Sequence, residues 1–130
     1  MIRKSIVCLI LTAALASLAG AAAAPGATSA PVVVRMTDGL QFRPARVTVK
    51  KGRTIVWRNV GSVAHTITTK RSLATRASDA VVPKGAKVWN SGFIGGGKTY
   101  RRTLLVPGTY RYFCIPHEAA RMVGTIVVTR

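Results

Sequence analysis

Cys114, His117 and Met122 fall on one short stretch with the spacing Cys-x2-His-x4-Met. A thiolate, an imidazole and a thioether form a soft-to-intermediate donor set that suits copper far better than calcium or magnesium. Zinc would accept the Cys and the His but gains little from a thioether. A trigonal copper site needs a second imidazole. The chain has two histidines, and the other is His65, in Gly61-Ser-Val-Ala-His65-Thr-Ile67. His65, Cys114, His117 and Met122 are therefore expected to share one ion. Met36 is expected in the core, and Met1 in a segment that is removed.

The elements that must position these groups read as strands. Tyr110, Tyr112 and Phe113 lead an extended run into Cys114, a tight loop carries Pro116 and His117, and Met122 stands at the entrance to the last run. Val47 and Val49 alternate with polar neighbours, as do Ile55 and Trp57, with Lys51-Gly52 between them. That pattern predicts a hairpin over 45–59. Further strand-like runs are 32–36, 65–69, 86–89, 99–105, 109–114 and 123–128, separated by Gly- and Pro-bearing turns. Many short strands in about 100 residues favour a β-sandwich or barrel. Residues 70–87, crowded with Lys70, Arg71, Arg76, Lys84 and Lys87, are expected as a basic loop or short edge helix.

The first residues differ from the rest. Arg3 and Lys4, an apolar run from Ile6 to Leu18, and small residues around Ala21-x-Ala23 follow the order of a secretory signal peptide. The apolar core is short for a membrane span. The expected organisation is a cleaved signal over 1–23, a short mobile leader over 24–31 and one domain over 32–130, with no transmembrane segment in the mature chain. Export would place the protein in the periplasm or outside the cell. Cleavage removes Cys8 and leaves Cys114 unpaired in a disulfide-permissive compartment, for which metal ligation or intermolecular pairing gives a reason. Twenty Lys and Arg face three acids, Asp38, Asp79 and Glu118, for a net charge of +17. Loss of Arg3 and Lys4 leaves about +15, a field that favours partners with acidic surfaces.

With these residues in view, the sequence resembles the plastocyanin/pseudoazurin branch of the cupredoxins, the small blue-copper electron carriers. The resemblance covers about 32–130 and includes Phe42-x-Pro44-x-x-Val47-x-Val49-x-x-Gly52-x-x-Ile55-x-Trp57-x-Asn59 and Ser91-Gly92-Phe93. It implies an all-β, Greek-key β-sandwich with one type 1 copper near one end. His65, Cys114 and His117 would be equatorial ligands and Met122 the long axial one. His117 would be the electron port, within a small apolar docking rim of Ala64, Pro116, Ala119 and Ala120. One position departs: many relatives place Asn directly after the first His, where this chain has Thr66. The Thr66 hydroxyl is expected to take over the tie between the ligand loops, and its N–H to donate to the Cys114 sulfur. Pro116 has no N–H to give that sulfur, and fewer donors should raise the reduction potential.

The resemblance implies single-electron transfer between redox proteins; the basic surface implies acidic docking faces on those partners, and a monomer is expected. A periplasmic copper carrier or store is the alternative. A multicopper enzyme needs further histidines, and Phe113 and Ile115 occupy the flanks of Cys114, so no catalysis is expected. A basic module for nucleic acid would need no cysteine, and the chain has no basic aromatic motif for specific nucleic-acid binding.

Overall fold

The computed structural model describes residues 29–130. The signal expected over 1–23 and most of the leader over 24–31 lie outside the described residues. Seven strands follow in order: β1 (Val32–Thr37), β2 (Gln41–Arg43), β3 (Arg46–Lys50), β4 (Thr54–Asn59), β5 (Thr99–Thr103), β6 (Gly108–Phe113) and β7 (Val123–Thr129). They form a four-stranded sheet, β2-β1-β4-β5, and a three-stranded sheet, β3-β7-β6. Both sheets are mixed, since β1 runs parallel to β4 and β3 parallel to β7. This is the all-β sandwich expected.

Period-two alternation builds the core between the sheets. Val34 and Met36 of β1, Ile55 and Trp57 of β4, Tyr110 and Tyr112 of β6, and Ile126 and Val128 of β7 all point inward and are buried. Trp57 and Tyr112 meet edge to face across the interior, with ring centroids 5.3 Å apart and an interplanar angle of 85°. Phe42 closes on Tyr112 at 4.8 Å. Such edge-to-face pairs add to the apolar burial.

The hairpin expected over 45–59 is not one. β3 and β4 are strands, but β3 pairs with β7, whereas β4 pairs with β1 and β5. The Lys51-Gly52 turn carries the chain from one sheet to the other. Its two N–H groups separate accordingly: Lys51 donates to the Thr129 carbonyl at 2.8 Å and Gly52 to the Leu104 carbonyl at 2.7 Å. Alternation shows that a run has one buried face; it does not say which strand lies beside it. The runs at 65–69 and 86–89 are not ladder strands: His65 and Thr68 make isolated bridges, and the bridge next to 86–89 falls on Asn90. Residues 70–87 contain two single turns of 3₁₀ helix, Arg71–Leu73 and Ala77–Asp79. Among the described residues no helix is long and apolar enough to cross a membrane.

Candidate metal centre

Two chain segments bring the candidate ligands together. The first leaves β4 through residues 60–64 and delivers His65. Buried Asn59 pins that loop, donating from its amide to the carbonyls of Val63 at 2.7 Å and Ile94 at 2.9 Å. Asp38 holds it from the other side, accepting the N–H groups of Ser62 at 2.8 Å and Val63 at 2.9 Å. These N–H groups hold the Asp38 carboxyl below its usual range. His65 itself exchanges both backbone hydrogen bonds with Ile94, at 3.1 and 2.7 Å.

The second segment is the turn between β6 and β7. β6 ends at Phe113, Cys114 follows, and Ile115–His117 form a single 3₁₀ turn with Pro116 near its start, where a missing N–H costs nothing. The turn closes on itself: Cys114 N–H donates to the Met122 carbonyl at 3.0 Å, and Met122 N–H to the His117 carbonyl at 3.1 Å. Thr68 and Phe113 exchange two backbone bonds of 3.0 Å, which locks the first segment against the second.

The outcome is a triangle of ligand atoms. His65 Nδ1 lies 3.2 Å from His117 Nδ1, Cys114 Sγ lies 3.3 Å from His117 Nδ1, and Sγ lies 3.9 Å from His65 Nδ1. A trigonal ion with bonds of about 2.0–2.3 Å needs edges of about 3.5–3.8 Å, so these atoms are already near bonding separation. His65 and Cys114 are buried and His117 is half-buried. Burial lowers the His65 pKa, as does the neighbouring His117, against the Thr37 carbonyl and the Asp38 carboxylate. Burial pushes the Cys114 thiol up, opposed by the Thr66 backbone N–H and hydroxyl. A neutral imidazole is ready to bind a metal, and a buried thiolate needs a cation beside it. The residues present therefore fit a copper ion. Met122 is fully buried and reaches the same turn through its backbone bonds to Cys114 and His117.

Thr66 ties the two segments together. Its N–H donates to Cys114 Sγ at 3.2 Å, its hydroxyl lies 3.9 Å from the same sulfur, and that hydroxyl accepts the Ile115 N–H at 2.8 Å. Replacing it as Thr66→Val keeps the shape and the backbone donor but leaves the Ile115 N–H without its acceptor. An orphaned donor of this kind costs about 1–3 kcal/mol. A lower thermal midpoint, with a shift in the visible spectrum of the copper-loaded protein, is the expected result. An unchanged midpoint would show that the hydroxyl bond carries no weight.

Ala64, Pro116, Ala119 and Ala120 are all exposed beside the half-buried His117. Phe93 is 73% exposed and precedes Ile94, which bridges His65; its only sequence signal was the Ser91-Gly92-Phe93 motif. Spacing arguments also missed two carboxylates behind the ligand turn. Glu118 is buried and accepts the N–H groups of Thr75 at 2.8 Å and Arg76 at 2.9 Å. Burial raises its pKa, but those N–H groups and Arg121 outweigh it and the net shift is downward. Asp79, also buried, pairs with Arg121 at 2.7 Å and Arg111 at 3.3 Å. Arg121 itself has a left-handed φ of 63°, a conformation that is uncommon outside glycine.

Comparison with known proteins agrees with this centre. Residues 29–129 match the family model described as copper binding proteins, plastocyanin/azurin family. A chloroplastic plastocyanin of Oryza sativa subsp. indica is 34% identical over 134 residues, spanning 92% of this chain and 82% of the relative. A plastocyanin of Scenedesmus fuscus is 34% identical over 92 residues, covering 71% of this chain and 90% of its own length. Among solved structures, an oxidized amicyanin mutant aligns with a TM-score of 0.59 at 23% identity, over 75% of this chain and 81% of that one. That similarity concerns the fold. On the family match and the relatives together, this chain is a member of the plastocyanin/azurin family of copper-binding proteins.

Proposed function

We propose that this protein carries single electrons between redox partners, with one type 1 copper held by His65, Cys114, His117 and Met122. The carrying observation is the triangle of two Nδ1 atoms and one sulfur, already near bonding separation. Copper bound there supplies one-electron Cu(II)/Cu(I) chemistry. The chain's own part is to keep its ligands still. Asn59, Asp38 and Thr66 hold both ligand segments through hydrogen bonds that do not depend on oxidation state. Little has to reorganise when an electron arrives or leaves.

His117 is the half-buried ligand, and its ring is the path from the cluster to solvent. Ala64, Phe93, Pro116, Ala119 and Ala120 form the apolar rim against which a partner docks. The basic surface selects partners with acidic faces and speeds their encounter at low salt. The signal layout of 1–23 supports export to the periplasm or beyond.

Copper-loaded protein tests this reading. It should turn intensely blue, keep its metal through repeated reduction and reoxidation, and resist a Cu(I) chelator. Ready transfer of copper to the chelator would instead identify a copper carrier or store. Ala119→Asp should slow electron exchange by about tenfold or more while the spectrum stays unchanged, since a buried charge at a docking rim costs several kcal/mol. No slowing would remove the rim from the proposal.

A further inference from the structure

We infer that the outer face of the four-stranded sheet is a second docking surface, built to hold a carboxylate-rich segment of a protein partner. Register places three arginines in one row across adjacent strands. Arg43 of β2 lies directly opposite Arg35 of β1, and Arg35 directly opposite Arg58 of β4. All three are exposed. Neighbouring strands lie about 4.8 Å apart, so the three Cα atoms fall within about 10 Å. Arg101 of β5 stands two residues along from the row, opposite Val56. Like charges directly opposite each other on a sheet are destabilising. The chain maintains this row with no acid beside it, although the Arg43 guanidinium donates from Nε and Nη2 to the Gln41 side-chain oxygen. None of the four strands contains an Asp or Glu, and each acid of the described chain is engaged elsewhere. Asp38 is held by Ser62 and Val63, Glu118 by Thr75 and Arg76, and Asp79 by Arg111 and Arg121.

The shape and chemistry indicate what belongs there. The row lines an open groove of about 800 Å³ bounded by Val33, Thr37, Pro44 and Val60. Val33 is 45% and Val60 51% exposed, so apolar surface flanks the charge. Arginine forks pair bidentately with carboxylates, which a row of lysines would not do. A protein segment carrying Asp or Glu can enter a concave groove and pack aliphatic stems on the two valines. A flat headgroup layer reaches the rims but offers nothing for those valines. β4 runs from this face into the loop that delivers His65, so a partner held here is tethered beside the metal end. The inference concerns binding alone and stands apart from the redox reading.

The test uses the copper-loaded protein and a labelled peptide of alternating Glu and Val, with binding followed by fluorescence anisotropy at low salt. A triple Arg35→Gln, Arg43→Gln, Arg58→Gln variant should bind about tenfold or more weaker than a control of equal charge, Lys50→Gln, Lys51→Gln, Lys84→Gln. Removing like-charge neighbours should leave the thermal midpoint of the arginine variant unchanged or raised. Backbone amide shifts on adding peptide should centre on β1, β2 and β4. Equal weakening in the two variants would overturn the proposal in favour of net charge alone. Shifts centred on 70–87 would overturn it as well. Tighter binding to phosphatidylglycerol vesicles than to the peptide, with the same arginine dependence, would reassign the face to a membrane. Cys114→Ser should bind the peptide like the parent, which separates failure here from failure of the electron-transfer reading.

Discussion

Cys114→Ser should abolish the blue colour of the copper-loaded protein while leaving the fold in place. The visible band requires charge transfer from a thiolate, and Cys114 is the one sulfur anion that the cluster can supply. A serine hydroxyl stays protonated at neutral pH and is a hard donor, poorly suited to Cu(I). The fold should tolerate the change. Serine nearly matches cysteine in shape, and its oxygen can accept the Thr66 N–H that now reaches Sγ at 3.2 Å. Copper affinity should fall further than the about 10–100-fold typical of losing an outer partner of a ligand. Thermal unfolding provides a second readout. Bound metal stabilises by about 4 kcal/mol when free copper is 1,000 times its dissociation constant. The parent protein should show that rise on adding copper, and the serine variant should not. A persistent blue band in the variant would place the copper elsewhere.

The ligand turn was legible in the sequence because its chemistry is local. Cys114, His117 and Met122 lie so close in the chain that a single turn gathers them. His65 was legible by elimination and by the strand pattern around it, since the contacts that bring it to Cys114, through Thr68 and Phe113, join residues far apart in the chain. The strands were visible in the alternation of Val47, Val49, Ile55 and Trp57. Their partners were not, and the expected hairpin became a crossing between sheets.

The acids were the least legible feature. Each one anchors a segment that bears a proposed ligand. Asp38 holds the loop before His65, Glu118 joins the turn after His117 to residues 75–76, and Asp79 fixes Arg121 beside Met122. Their targets are mostly backbone N–H groups, which any residue supplies, so no motif marks them. Scarcity was the only signal: three acids among twenty cations. The same economy explains the surface. With every acid engaged around the metal centre, the cations of the sheet face have no intramolecular partner to neutralise them, and their charge is left for another molecule.

Gly124→Ala should be among the most damaging single substitutions outside the ligands. Gly124 faces Tyr112 directly across the β6–β7 ladder. A Cβ there would overlap the Tyr112 ring and its hydroxyl. The ring cannot retreat, because it is fully buried with Phe42 against it at 4.8 Å and Trp57 at 5.3 Å. Overpacking of this sort costs about 1–3 kcal/mol, which in a domain of about 100 residues lowers the thermal midpoint by about 5–20 °C. The damage should also reach the metal. Tyr112 lies two residues before Cys114 and Gly124 two after Met122, and just past the intervening Phe113–Val123 pair comes the Cys114-to-Met122 backbone bond of 3.0 Å. Forcing the strands apart at Gly124 should lengthen that bond and shift Met122 relative to the sulfur. The expected result is therefore a lower midpoint together with a changed visible spectrum of the copper-loaded protein. A second substitution, Tyr112→Leu, should recover part of the loss in the Gly124→Ala background although it destabilises the parent, a coupling that a double-mutant cycle measures. Additive losses would mean that the ring does not cover Gly124, and an unchanged spectrum would mean that the ladder does not set the ligand turn.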